Sequence, residues 1–205
     1  TSVKNGCSQG ACGTCMVLVD GKPTKACVLK TSGCQGRQIL TCEGLSPRER
    51  EVYAHAFTHC GAVQCGFCTP GMVISAKGLL DRVPDPTRQQ VKEALKNNIC
   101  RCTGYQKIEE AVLLAAKLLR EGSPVPAYTL SGRVGQRFSR VDAPAKVLGE
   151  AEYVDDIRLP GMVYGSAVRS RYPRARVLAI HPQKARELPG VLAVLTAADL
   201  KGKPK

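Results

Sequence analysis

The chain has 205 residues, 43% of them hydrophobic, with 4% aromatics, no Trp and a net charge of +13, enough for one or two domains with an aliphatic core. No apolar run reaches the ~18–20 residues of a membrane span, and no dense Lys/Arg run or aromatic–basic interleaving marks a nucleic-acid surface, so the charge is read as a solvated basic face or one that docks an acidic partner. Eleven cysteines, an odd count with tight C-x2-C and C-x-C spacings, fit a secreted disulfide scaffold poorly and point to metal thiolates in a reducing, cytoplasmic setting.

The first residues, Thr1-Ser2-Val3-Lys4, show no signal-peptide pattern, and the missing initiator Met is expected of a chain that starts inside a longer protein. Cys7, Cys12 and Cys15 form a C-x4-C-x2-C run with Gly6, Gly10 and Gly13 between small or polar neighbours. Glycines let such a loop fold tightly and turn backbone N–H groups toward sulfur, and the spacing is that of a plant-type [2Fe–2S] loop. Met16-Val17-Leu18-Val19 reads as a strand, Asp20-Gly21 as a turn, and Thr24 to Leu29 as the return strand. A hairpin folded there brings Cys27 back beside Cys15, so Cys7, Cys12, Cys15 and Cys27 can converge on one site. A structural zinc or a disulfide pair is the competing reading, but closed zinc sites rarely use this spacing. Cys34 and Cys42 read as ordinary small residues, and Gln38–Thr41 as a short strand.

Ser46-Pro47-Arg48-Glu49 is a helix start with a capping box, and the helix runs to about His59 with Val52, Ala56 and Phe57 on its apolar face. His55 and His59 lie at i, i+4. Without a third ligand or an H-E-x-x-H pattern they read as exposed or capping histidines. Cys60 at the helix end reads as structural. A second helix starts at Thr69-Pro70 and runs to about Asp81, with Cys68 at its positive end, where a thiolate's pKa should fall. Pro84-Asp85-Pro86 breaks it. Thr87 caps a third helix that ends near Asn97-Asn98. Cys68 lies sixteen residues before Pro84 and Cys100 sixteen after, so an antiparallel helical hairpin returns Cys100 and Cys102 to Cys65 and Cys68. This four-thiolate set fits zinc or iron–sulfur by spacing alone. The neighbouring plant-type loop favours iron–sulfur, and a zinc-stabilised basic binding module is the alternative. A fourth helix spans about Gln106 to Glu121 and stops at Gly122, followed by a Pro- and Gly-containing linker.

Beyond Gly135 no cysteine occurs. Val147-Leu148, Ala151 to Val154, Met162 to Val168, Val177 to Ile180 and Val191 to Leu195 read as strands, and Pro182 to Leu188 as a short helix. Asp155-Asp156 reads as a turn or surface pair, since neighbours on a strand face opposite sides.

Four stretches carry a family resemblance: Gly6-Cys-Ser-Gln-Gly-Ala-Cys-Gly-Thr-Cys15, Gln64-Cys-Gly-Phe-Cys-Thr-Pro-Gly71, Asn98-Ile-Cys-Arg-Cys-Thr-Gly-Tyr105, and Arg140-Val-Asp-Ala-Pro-Ala-Lys-Val-Leu-Gly-Glu150 with Tyr153-Val-Asp-Asp156. The chain resembles the molybdenum hydroxylases, the group of xanthine dehydrogenases and aldehyde oxidoreductases. The wording around Val52-Tyr53-Ala54 and Gly71–Ala76 is similar to the selenium-dependent xanthine dehydrogenase branch. The resemblance implies an α+β chain: a partial β-grasp [2Fe–2S] ferredoxin domain over 1–45, a four-helix [2Fe–2S] bundle over 46–121, a linker over 122–135, and the start of an α/β hammerhead over 136–205. It implies an oxidoreductase that inserts a water-derived oxygen into a purine, aldehyde or N-heterocycle. Two [2Fe–2S] clusters, on Cys7/Cys12/Cys15/Cys27 and on Cys65/Cys68/Cys100/Cys102, carry the electrons. Gln64 and Cys102 approach the molybdopterin, which is bound mostly by segments this chain lacks, as are the substrate pocket and its glutamate. Two oxidised clusters, at about −2 each, would lower the net charge to roughly +9. The implied partners are the rest of the molybdenum subunit, a FAD subunit or other electron acceptor, and a second copy in a homodimer. Arg101 and the helix beginning at Thr69 are candidate tuners of the second cluster, with packing and capping as their plainer roles.

Overall fold

The computed structural model describes residues 1–127, 132–136, 138–199 and 202. Residues 128–131 of the expected linker lie outside them, as do positions 137, 200, 201 and 203–205. The chain divides into two compact units, Thr1–Ile157 and Arg158–Lys205.

In the first unit, β1 (Met16–Val19) pairs antiparallel with β2 (Lys22–Lys25), Met16 facing Lys25, and with β3 (Ile39–Leu40), giving the order β2-β1-β3. The β1–β2 turn holds Asp20 and Gly21 at φ of 49° and 74°, the two positive dihedrals a tight hairpin requires. The expected return strand stops early: Ala26–Val28 is a 3₁₀ turn.

Four helices follow: α1 (Pro47–His59), α2 (Thr69–Leu80), α3 (Arg88–Leu95) and α4 (Tyr105–Glu121). Their ends are set by local chemistry. Ser46 and Glu49 close a capping box on α1, Thr87 and Gln90 close one on α3, and Gly122 ends α4 in the left-handed conformation. Val52, Ala56, Phe57, Met72, Val73, Val91, Leu95, Ile108, Val112 and Ala115 bury their side chains in one core that also takes Met16 and Leu18 from the sheet. Two ion pairs tie helices across it: Lys77 to Glu49 at 2.9 Å between α2 and α1, and Arg88 to Glu109 at 3.0 Å between α3 and α4.

Val147 and Leu148, expected as a strand, are instead the end of α5 (Ala143–Leu148). Pro144 in its first turn and Gly149 in the left-handed conformation after its last residue specify a helix, and they outweigh the β preference of one Val. The expected strand at Ala151–Val154 is also absent. There the Asp156 carboxylate accepts from the Tyr153 N–H at 2.9 Å and closes a 3₁₀ turn, Val154–Asp156.

The second unit contains α6 (Gln183–Arg186), inside the expected Pro182–Leu188 helix, and a 3₁₀ turn at Ala197–Asp199. The strands expected at Met162–Val168, Val177–Ile180 and Val191–Leu195 do not form among the described residues. A strand exists only through a ladder partner. These segments have the right side chains, but Val163, Tyr164, Val168, Leu178 and Leu192 stand exposed.

Candidate functional site

The expected cysteines meet in pairs, two pairs in each of the two expected quartets. In the first, the Cys7 thiol accepts the backbone N–H groups of Gln9 and Cys12, each at 3.5 Å. Amides of Cys12, Gln9 and Ala11, with help from the Cys12 thiol, lower its pKa to about 6. A loop that directs several N–H dipoles at one sulfur is built to carry a thiolate. Cys15 and Cys27 approach each other from the two sides of the hairpin. The ladder alone would set Ala26 opposite Cys15, and the Ala26 N–H does bond the Cys15 carbonyl at 3.0 Å. The 3₁₀ turn then swings the next residue inward, so that the Cys27 N–H reaches the Cys15 sulfur at 3.4 Å. Hydrogen bonding to the Cys15 thiol raises the Cys27 pKa.

The second quartet sits where the helices begin and end. The Cys65 and Cys102 sulfurs are 3.7 Å apart. Two sulfurs on one tetrahedral metal with bonds near 2.3 Å lie about 3.8 Å apart. Cys68 and Cys100 contact each other on the inner side. The lowered pKa expected for Cys68 at its helix end is corrected: burial, the Cys100 thiol and Cys65 push it to about 12, more than backbone hydrogen bonding offsets. Burial also pushes Cys100 up, but the N–H groups of Thr103 and Cys102 outweigh it and lower its pKa. Among the described residues no three Cys, His, Asp or Glu side chains are drawn round one point as a single ion requires. Within each quartet the thiols meet two by two instead: Cys7 with Cys12, Cys15 with Cys27, Cys65 with Cys102, Cys68 with Cys100. This is the donor arrangement that suits a two-iron cluster, each iron taking one pair.

The remaining candidates separate cleanly from these sites. Cys42 is fully buried, donates to the Pro70 carbonyl at 3.5 Å and has its pKa pushed to about 12 by burial. Cys34 donates to the Lys30 carbonyl at 3.6 Å. Cys60 caps α1. His59 lies in the last turn of α1, whereas His55 is buried rather than exposed and stacks on the His59 ring at 5.4 Å. Gln64 donates from Nε2 to the Cys102 carbonyl at 2.9 Å, joining the two loops of the second quartet.

Between the quartets lies a contact that spacing did not reveal. The Ile99 N–H donates to the Cys12 carbonyl at 2.8 Å, so the residue next to Cys100 is bonded to a cysteine of the first quartet. Asn98, fully buried, donates from Nδ2 to the Gly13 carbonyl at 3.0 Å and accepts from Ser75 Oγ at 2.7 Å. Gly13 is required there: its φ is +70°, and a Cβ would lie 2.1 Å from the Asn97 carbonyl. The available signal was an Asn pair, Asn97-Asn98, closing a helix immediately before a C-x-C.

Two family models match the chain: a [2Fe–2S] binding domain over residues 41–113, and the α/β hammerhead domain of aldehyde oxidase and xanthine dehydrogenase over 148–205. The nicotinate dehydrogenase small FeS subunit of Eubacterium barkeri is 45% identical over 57% of this chain and 75% of its own length. The chain belongs to the molybdenum hydroxylase family. The aldehyde oxidoreductase of Megalodesulfovibrio gigas is 39% identical over 99% of this chain, which spans 24% of that protein. The crystal structure of the aldehyde oxidoreductase from Desulfovibrio desulfuricans superposes with a TM-score of 0.69 at 38% identity, covering 99% of this chain and 24% of that one. Within this family the chain is an iron–sulfur, electron-transfer region, and its relatives are oxidoreductases. The zinc-module reading is not favoured. No helix among the described residues is long and apolar enough to cross a membrane.

Proposed function

We propose that this chain conducts electrons from a molybdopterin centre through two [2Fe–2S] clusters, as part of a molybdenum hydroxylase acting on a purine, an aldehyde or an N-heterocycle. When bound, each cluster takes up and gives up one electron at a time. Cys7, Cys12, Cys15 and Cys27 would hold one cluster. Cys65, Cys68, Cys100 and Cys102 would hold the other, with Gln64 and Cys102 toward the pterin. The observation that carries this reading is the hydrogen bond from the Ile99 N–H to the Cys12 carbonyl, which links the two quartets backbone to backbone. The chain's own residues supply position and charge: N–H groups point at Cys7, Cys15 and Cys100, and Asn98 locks the loops at fixed separation. The exposure of Cys65 and Cys102, against a buried Cys15, supports the second quartet as the one open to a further cofactor.

The rest of the molybdenum subunit is the expected partner, with a FAD subunit or another acceptor downstream and a homodimer as the assembly. Eleven cysteines, an odd count with tight C-x2-C and C-x-C spacings, support a reducing compartment, the cytoplasm. Metal analysis with visible and EPR spectra of anaerobically prepared protein tests the reading. Two distinct [2Fe–2S] signals are expected, and zinc with no visible absorption would overturn it.

A further inference from the structure

Residues 140–153 come after the four helices, and thiolate ligation makes no use of them. Yet they hold the Gln64–Cys65 loop. Arg140 Nη1 donates to the Gln64 carbonyl at 2.7 Å, and the Tyr153 hydroxyl donates to the Cys65 carbonyl at 3.0 Å. Two consecutive peptide carbonyls are thus fixed by two side chains from one later segment. Both side chains are themselves restrained. Arg140 is paired with Asp142, in part from Nη2 at 3.1 Å, and Asp142 is also 3.2 Å from Lys146 Nζ. The Tyr153 ring meets Phe67 edge-on at 5.9 Å. The backbone of the loop fits closely against α5: Gly66 has φ +82°, and a Cβ there would lie 2.5 Å from Lys146 Cβ.

This arrangement has an electrostatic consequence. Reduction adds one negative charge to a thiolate-ligated cluster, and a cation fixed beside one of its cysteines favours that state. Arg140 is that cation, and Asp142 tempers it. We propose that Arg140 and Tyr153 are positioning residues for the Cys65/Cys68/Cys100/Cys102 site: they hold the Gln64–Cys65 peptides in place, and the Arg140 charge raises the reduction potential of the cluster there. The inference rests on the ligand reading above and extends it to a segment outside the cysteine loops.

The test is an EPR-monitored redox titration of the anaerobically prepared protein, with iron content measured first. In Arg140→Gln, the signal that Cys102→Ser alters should shift to lower midpoint potential while the other signal stays. Arg140→Lys, which keeps the charge, should restore most of the shift. Asp142→Asn should move the same signal the opposite way, upward. Unchanged midpoints in both Arg140→Gln and Asp142→Asn would overturn the proposal. So would shifts of the same sign in both, which would mean loop damage rather than charge. If Arg140→Gln loses its iron, Asp142→Asn decides alone, an upward shift supporting the charge effect and no shift overturning it. Tyr153→Phe should broaden the lines of that signal by releasing the Cys65 peptide, and an unchanged line shape would remove Tyr153 from the role. Absence of any two-iron signal from the unsubstituted protein would sink the ligand reading itself, and this proposal with it.

Discussion

Three of the four cysteines in the first quartet lie on one glycine-rich loop, and a hairpin turn delivers the fourth. The second quartet is assembled from two loops that meet only because α2 and α3 fold back on each other. The first therefore depends on local turn chemistry: positive dihedrals at Asp20 and Gly21, and amides turned onto Cys7. The second depends on a hydrophobic core. The difference also shows in exposure, since Cys15 is buried while Cys65 and Cys102 are open. A site made by packing can present an edge to a partner, whereas a site made by a loop closes on itself.

Substitutions can break that comparison in graded ways. Asn98→Leu has the largest expected effect. It removes both bonds of a fully buried amide and leaves the Gly13 carbonyl and Ser75 hydroxyl without it, costing about 3 kcal/mol in urea unfolding. It should also disturb both EPR signals, because Asn98 bonds Gly13 in the first cysteine loop and lies two residues before Cys100 of the second. Val91→Ala, in the fully buried face of α3, should cost about 2 kcal/mol and perturb only the second quartet's signal. Equal damage to both signals would contradict the separation into a loop-built and a core-built site. Ser46→Ala removes the α1 cap for about 1 kcal/mol and should leave both signals unchanged.

The smallest effect expected is pH-dependent. Burial raises the Glu49 pKa, but Lys77 and Ser46 outweigh it and hold it below the ordinary carboxylate value. A carboxylate with a depressed folded-state pKa stabilises above its unfolded pKa and loses that contribution as pH falls through the folded value. The urea midpoint should thus drop on acidification below about pH 4.3, and Glu49→Gln should flatten that part of the curve. Because the pair is partly solvated, the contribution is under about 1 kcal/mol. A profile unchanged by Glu49→Gln would remove this pair from the acid limb.

Much of the site was legible in the sequence because cysteine spacing and turn chemistry are local. Asp20-Gly21 fixed the hairpin, and Pro84 marked the fold-back that returns Cys100 to Cys68. The capping box at Ser46 and the cap at Thr87 placed two helix starts to the residue. The failures have physical causes. Cys27 reaches Cys15 through a 3₁₀ turn, because ladder register alone would point its neighbour there. Cys68 sits at a helix start, but burial and neighbouring thiols raise its pKa instead. Arg140 and Tyr153 were visible only as part of a resemblance, since their partners are peptide carbonyls, which carry no side-chain signature. The strand-like segments after Met162 show alternation without a partner, and pairing is not encoded in any one segment.

The proposal that most needs testing is that the chain holds two independent two-iron sites. EPR of the reduced protein, with Cys12→Ser and Cys100→Ser measured alongside, tests it most directly. Two distinct signals are predicted, Cys12→Ser altering one and Cys100→Ser the other, with about four iron atoms per chain before substitution. A single signal, or the loss of both signals in either variant, would contradict the account.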